Sequence, residues 1–203
     1  MKTTPYIFID TCSLLDSCWV EEMGGLYRYS PDKDRRFWGE EFVSLQKMGS
    51  IILPHRNYEE LRKHAGNKAN QNLAERSKLI LKRIEPLIRS ESMQIVGDPN
   101  DPFADAILLS VALKFRTQRD MAFITQDHGL AEDLEAIRNF KSVRPRHGYD
   151  IKIRRIAESG RVKPFENLLE KGDKQPKKNG KAAAKAINKK HQKSTNPANW
   201  WER

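Results

Sequence analysis

Cysteine is scarce in this sequence: Cys12 and Cys18 are the only two in 203 residues. Two thiols make no disulfide framework, and their spacing does not suit a zinc knuckle, so they read as free, buried thiols in a reducing compartment. Long apolar runs are missing too. Nothing approaches the roughly 20 residues that cross a bilayer, and the N-terminal apolar run is too short for a signal peptide and is cut off by Asp10. The expectation is a soluble, cytoplasmic protein with no membrane partner. No internal repeat is visible, which sets stacked-repeat architectures aside. His55, His64, His128, His147 and His191 are scattered, and no His or Cys spacing supports a zinc site.

What is present is enough apolar residue, 38%, for the core of one domain, and a net charge of +10. That charge is uneven. Residues 171–203 hold ten Lys and Arg against two Asp and Glu, which leaves 27 against 25 in residues 1–170. A nearly balanced body and a basic arm suggest separate chemistry and an arm that meets a polyanion. The division expected is a domain over 1–160 and a basic extension over 161–203, partly disordered or helical. The extension closes on Trp200 and Trp201, which suit docking, a partner or base stacking.

Short apolar runs, Tyr6 to Ile9 and "SIILP", read as buried strands, with "MQIV", "MAFITQD" and the alternating "YDIKIRRI" as further strands. Between them lie helical patterns: a helix after Asp10 capped by Thr11 or Ser13, "FWGEEFVSLQKMG", "NYEELRKHAG", a long charged helix from Asn70 kinked or ended near Pro86, "FADAILLSVALKF" and "GLAEDLEAIRNF". Residues 24–36 read as a polar loop. Strands alternating with helices predict an α/β domain with a mostly parallel central sheet flanked by helices.

Sites in such sheets lie beyond the carboxyl ends of the strands. Two strands here end on acids, Asp10 and Asp127. Asp101 and Asp105 open the apolar helix, four apart and roughly 6 Å from one another on one face. Asp101 is the N-cap if Pro102 lies in the first turn. Glu60 follows the second strand, and Glu59 points about 100° away from it. Each acid has a plain structural explanation, as a cap, a helix-dipole partner or a surface charge; Asp16 reads as a surface acid. Together, at one sheet edge, they would repel one another unless a cation sits among them. An oxygen-only set suits Mg²⁺ or Mn²⁺, ions that promote phosphodiester hydrolysis.

The pattern resembles the PIN-domain nucleases. "FIDTCSLL" matches their apolar strand ending in Asp and a small hydroxyl residue. "YEELRKH" matches their Glu–Leu pair, "DAILLSVAL" their Asp-led apolar helix and "FITQD" their strand leading to Thr-x-Asp, in the family's order over residues 6–140. The resemblance implies a PIN-like three-layer fold and catalytic, metal-binding roles for Asp10, Glu60, Asp105 and Asp127. Asp101 stands as an additional metal acid, and Thr11 and Thr125 as support. It also implies a Mg²⁺- or Mn²⁺-dependent endoribonuclease. The segment 19–50 is longer than in compact toxin members, and the basic extension lies outside the family pattern. Two other families with strand-end acids fit less well. Haloacid-dehalogenase phosphatases need a second Asp where Cys12 stands, and receiver domains need an acidic cluster on the first strand.

Nucleic-acid contacts are expected from Arg56, Arg62 and Lys63 beside Glu60, from Arg144 and Arg146, and from Lys177, Lys178, Lys189 and Lys190 in the extension, because acids alone repel RNA. His128, next to Asp127, is a further candidate for a phosphate. The expected function is a toxin of a toxin–antitoxin or defence system acting on single-stranded or looped RNA. Expected partners are the RNA, an antitoxin or other protein met through the tail, and a second copy of the chain. The alternatives are an RNA-processing factor and a catalytically silent scaffold.

Overall fold

In a computed structural model of the chain, residues 4–23, 25–98, 103–140 and 149–165 are described. Six strands form one sheet: β1 (Tyr6–Ile9), β4 (Ser50–Pro54), β5 (Gln94–Val96), β6 (Met121–Ile124), β7 (Ile151–Ile156) and β8 (Val162–Pro164), in the order β5-β4-β1-β6-β7-β8. All pairings are parallel except β7 with β8. The expected α/β class and mostly parallel sheet are therefore present. β8 carries the sheet beyond residue 160, and Phe165 closes it by donating its N–H to the Ile153 carbonyl.

β1 lies at the centre because it is buried on both faces. Alternation sends Ile7 and Ile9 to one side, where they join Leu14, Phe37, Leu53 and Ile80 in the main core. Phe8 faces the other way and stacks on Phe123 at 5.0 Å. The helices cover these faces: α1 (Thr11–Asp16), α2 (Pro31–Arg36), α3 (Phe42–Met48), α4 (His55–Ala65), α5 (Gln71–Arg89), α6 (Ala104–Phe115) and α7 (His128–Arg138). A π-helical stretch, Phe37–Glu41, joins α2 to α3. α6 and α7 are tied by Arg116, whose guanidinium donates to the carbonyls of Ile137 and Phe140 at 2.7 Å each.

Several expectations change. Residues 24–36 are not a plain loop: β2 (Trp19–Glu22) and β3 (Leu26–Tyr29) pair as an antiparallel hairpin, and α2 follows. Its turn uses Gly25 at φ 74, a conformation glycine adopts without steric cost. The buried carboxylate of Asp34 holds the hairpin down, accepting from Tyr29 Oη at 2.5 Å, Cys18 Sγ at 3.3 Å and Arg83 of α5 at 2.5 Å. Asp16 is not a free surface acid, since buried Arg76 pairs with it at 2.7 Å while stacking on the Tyr27 ring. α5 continues past Pro86 for three residues and ends at Arg89, close to the expected stop. α1 is capped by Asp10 rather than by Thr11 or Ser13, and α6 by Phe103, leaving Asp101 upstream of the cap and outside the described residues.

Gly49 ends α3 where the chain passes Pro5. A Cβ there would lie 2.4 Å from the Pro5 carbonyl oxygen, which also accepts the Ser50 N–H at 3.0 Å. The backbone cannot back away without losing that bond. Gly49→Ala is expected to destabilise the protein by about 1–3 kcal/mol, read as a melting temperature lower by several degrees; an unchanged melt would show that this contact yields.

Candidate active site

Asp10 follows β1 and is buried, 7% exposed as a residue. A charge taken that far from water needs donors, and four surround it. Oδ1 accepts from the Thr11 N–H at 2.7 Å and from Asn57 Nδ2 at 2.8 Å. Oδ2 accepts from Cys12 Sγ at 2.8 Å and Thr125 Oγ1 at 3.1 Å. Burial still raises its pKa from the ordinary 3.8, with Glu60 adding repulsion, although the hydrogen bonds from Cys12, Thr11 and Thr125 pull the other way. The Cys12 thiol is pushed up to about 12 by burial and then by Asp10. It is therefore a neutral donor, not a thiolate.

Asn57 and Glu60 lie three apart on α4, on one helix face. Asn57 is fully buried and also donates to Thr11 Oγ1 at 2.9 Å; Thr11 Oγ1 in turn donates to Glu60 Oε2 at 2.8 Å. Glu60 is thus linked to Asp10 through Thr11 and Asn57. Its Oε1 lies 3.6 Å from His64 Nε2. Glu59 lines the same cleft but is held by Arg62 at 3.3 Å.

Asp127 caps α7, with Oδ1 accepting from the N–H groups of Gly129 and Leu130 at 2.6 and 3.2 Å. Its own N–H donates to Thr125 Oγ1 at 3.0 Å, so Thr125 bridges the two aspartates. Asp105 stands in the first turn of α6. Desolvation raises its pKa first, followed by the charges of Asp10, Asp127 and Glu60. Four acids from four segments therefore act on one another through space.

All four line one cleft of about 480 Å³ at the carboxyl edge of the sheet, with Thr11, Arg56, Lys63 and Phe103 among its other walls. Arg56 and Lys63 reach it as expected. Arg62 does not, because it turns to Glu59 and the Tyr58 ring. His128 is not on the cleft either; its ring packs edge-on against Phe165 at 4.8 Å. Asp101, Arg144, Arg146, Lys177, Lys178, Lys189, Lys190, Trp200 and Trp201 lie outside the described residues. Among the described residues no three His, Cys, Asp or Glu side chains are grouped tightly enough to form a ready-made metal site. No helix among them is long and apolar enough to cross a membrane.

Three contributors are not legible in the sequence: Asn57, Cys12 and Phe103. Asn57 had one signal, its position one turn before Glu60. The Cys12 side chain looks like a small core residue until Asp10 is seen to need a donor. No family model, curated protein or solved structure matches the chain.

A carboxyl whose folded pKa lies above its ordinary 3.8 destabilises the fold once ionised. That penalty is absent below the ordinary value, grows as pH rises and is complete above the raised folded value. Asp10→Asn removes it while keeping an oxygen for Thr11 and Asn57 and offering an N–H to Thr125. In EDTA the variant is expected to melt above the parent near pH 8 by roughly 2–4 °C for each kcal/mol relieved, the gap closing toward pH 4. A variant that melts lower at every pH would mean that the charged hydrogen bonds outweigh desolvation.

Proposed function

We propose that the chain is a PIN-like, divalent-metal-dependent ribonuclease that hydrolyses phosphodiester bonds. The observation that carries this reading is the convergence of Asp10, Glu60, Asp105 and Asp127 on one cleft from the end of β1, the middle of α4, the first turn of α6 and the N-cap of α7. Nothing in sheet packing requires four acids in one place, and their mutual repulsion costs stability.

The donor chemistry fits a hard cation: several carboxylate oxygens and the Thr11 hydroxyl, with a single histidine, His64, and a Cys12 thiol that burial keeps protonated. Asp10, Glu60, Asp105 and Asp127 would hold Mg²⁺ or Mn²⁺, with Asp101 as a further candidate. When bound, such an ion polarises the phosphodiester, promotes ionisation of water and neutralises the leaving oxygen. The chain's own residues prepare the site. Thr11, Asn57, Cys12 and Thr125 fix both oxygens of Asp10, so its orientation does not have to be found on each turnover. Thr11 steadies Glu60. Arg56 and Lys63, on the cleft wall, draw the RNA backbone toward a floor that would otherwise repel it. The setting implied by the resemblance, a toxin restrained by an antitoxin, belongs to this same proposal.

Purified parent protein is expected to cleave single-stranded RNA with Mn²⁺ and to lose about 100-fold or more in rate on Asp10→Asn or Asp105→Asn. Asn57→Ala, which leaves every acid in place, is expected to weaken metal affinity by about 10- to 100-fold. Mn²⁺ should raise the parent's melting temperature by mass action and leave that of Asp10→Asn nearly still. Equal cleavage by the aspartate variants would overturn the mechanism, and a parent that neither cleaves nor responds to Mn²⁺ would leave a non-catalytic scaffold.

A further inference from the structure

We propose that the RNA strand runs along α4, with the phosphate to be cut at the level of Glu60 and the phosphates on either side of it held by Arg56 and Lys63. This path rests on the nuclease reading for the meaning of the cut bond, though not for binding.

The cleft follows α4 further than any other element. The helix lines it from Arg56 in its first turn to His64 in its last, whereas α6 contributes only its start and α7 only its N-cap. At 1.5 Å per residue that wall is roughly 12 Å long. Arg56, Glu60 and Lys63 fall at i, i+4 and i+7, so they form one row along the helix. The order in the row is base, acid, base. Glu60 accepts the Thr11 hydroxyl, and the Thr11 N–H binds Asp10, so the middle of the row belongs to the acid centre.

The two bases are open to a ligand. Five carboxylates line the same cleft, yet among the described residues neither Arg56 nor Lys63 makes a side-chain hydrogen bond or an ion pair. Arg62, off the row, is different: Glu59 holds it at 3.3 Å and it rests on the Tyr58 ring. Arg56 and Lys63 are seven residues apart, roughly 10 Å along the axis. Phosphates in a stacked strand follow one another by about 3.4 Å. The two bases therefore meet different phosphates and leave room between them for the one that is cut. Contacts of this kind fix the register of a strand and read no base, so the track takes an accessible single strand of any sequence.

The experiment uses the full chain and compares Arg56→Ala, Lys63→Ala, the double variant and Arg62→Ala. Binding of a labelled single-stranded oligoribonucleotide is read by fluorescence anisotropy across a salt series, in an Asp10→Asn background with Mg²⁺. Each single variant on the row is expected to reduce the slope of log K against log[salt] by about 0.7, and the double variant by about 1.4. Arg62→Ala should leave the slope unchanged. Cleavage in Mn²⁺ is then mapped on RNAs in which one phosphate at a time is a neutral methylphosphonate. Neutralising either neighbour of a cut bond should slow that cut in the parent. The penalty on one side should vanish in Arg56→Ala and that on the opposite side in Lys63→Ala. A double variant no worse than a single one, an equal effect of Arg62→Ala, or loss of the same side's penalty in both variants overturns the track. Slopes that do not move overturn it whether or not the parent cuts. A parent that cuts no RNA while the slopes fall additively overturns the nuclease reading and supports the track.

Discussion

One buried carboxylate organises this protein. Asp10 sits at the end of the central strand, and its two oxygens are met by donors from α1, α4 and the end of β6. A donor withdrawn from a buried charge leaves a desolvated group unpaired, which costs more than the bond itself contributes. The arrangement of β4 and β6 on either side of β1 is what brings those donors in. Asn57 arrives because α4 starts directly after β4, and Thr125 because it follows β6. The sheet order and the shape of the site are two descriptions of the same requirement.

The strands that build this centre were legible in the sequence because each is a short, continuous apolar run, the pattern of a strand buried on both faces. The acids were legible because they stand at element junctions, where a polar residue interrupts an apolar pattern. What the sequence did not disclose is held by distant partners. The β2–β3 hairpin has half-exposed faces and no clear alternation, and it is secured by Asp34 pairing with Arg83, 49 residues further along the chain. Asn57 is an amide within a charged helix, "HRNYEELRKHA", and only the packing of α4 on β4 and α1 decides that it is buried while Arg62 is not. Asp10 shows the limit from the other side. Capping a helix does not take the side chain out of the cleft, because the cap uses one oxygen and Asp10 still lines the cleft wall.

The acids of the cleft differ in their access to water. Asp10 is buried, Glu60 is partly exposed, and Asp105 and Asp127 are exposed. α4 presents Arg56, Glu60 and Lys63 on one face, at intervals of about one helical turn, so acid and base alternate there within reach of solvent. Salt screens these exposed charges within a Debye length of about 8 Å at physiological ionic strength and reaches Asp10 less. Ionic strength therefore acts on the mouth of the cleft more than on the carboxylate at the end of β1.

The central place of β1 has a consequence for the order of assembly. Asp10 and Thr125 touch across 115 residues of chain. As the polypeptide is made, at about 5–20 residues per second, β1 emerges first and lacks its neighbour on one side until β6 has followed. Parallel pairings of such long range are slow to form because loop closure precedes any gain. Until then Asp10 remains hydrated, Asp127 is not delivered to it and the four acids share no cleft. A half-made chain consequently lacks the cleft altogether: the same topology that concentrates the acids postpones their meeting until β6 and the residues after it have left the ribosome.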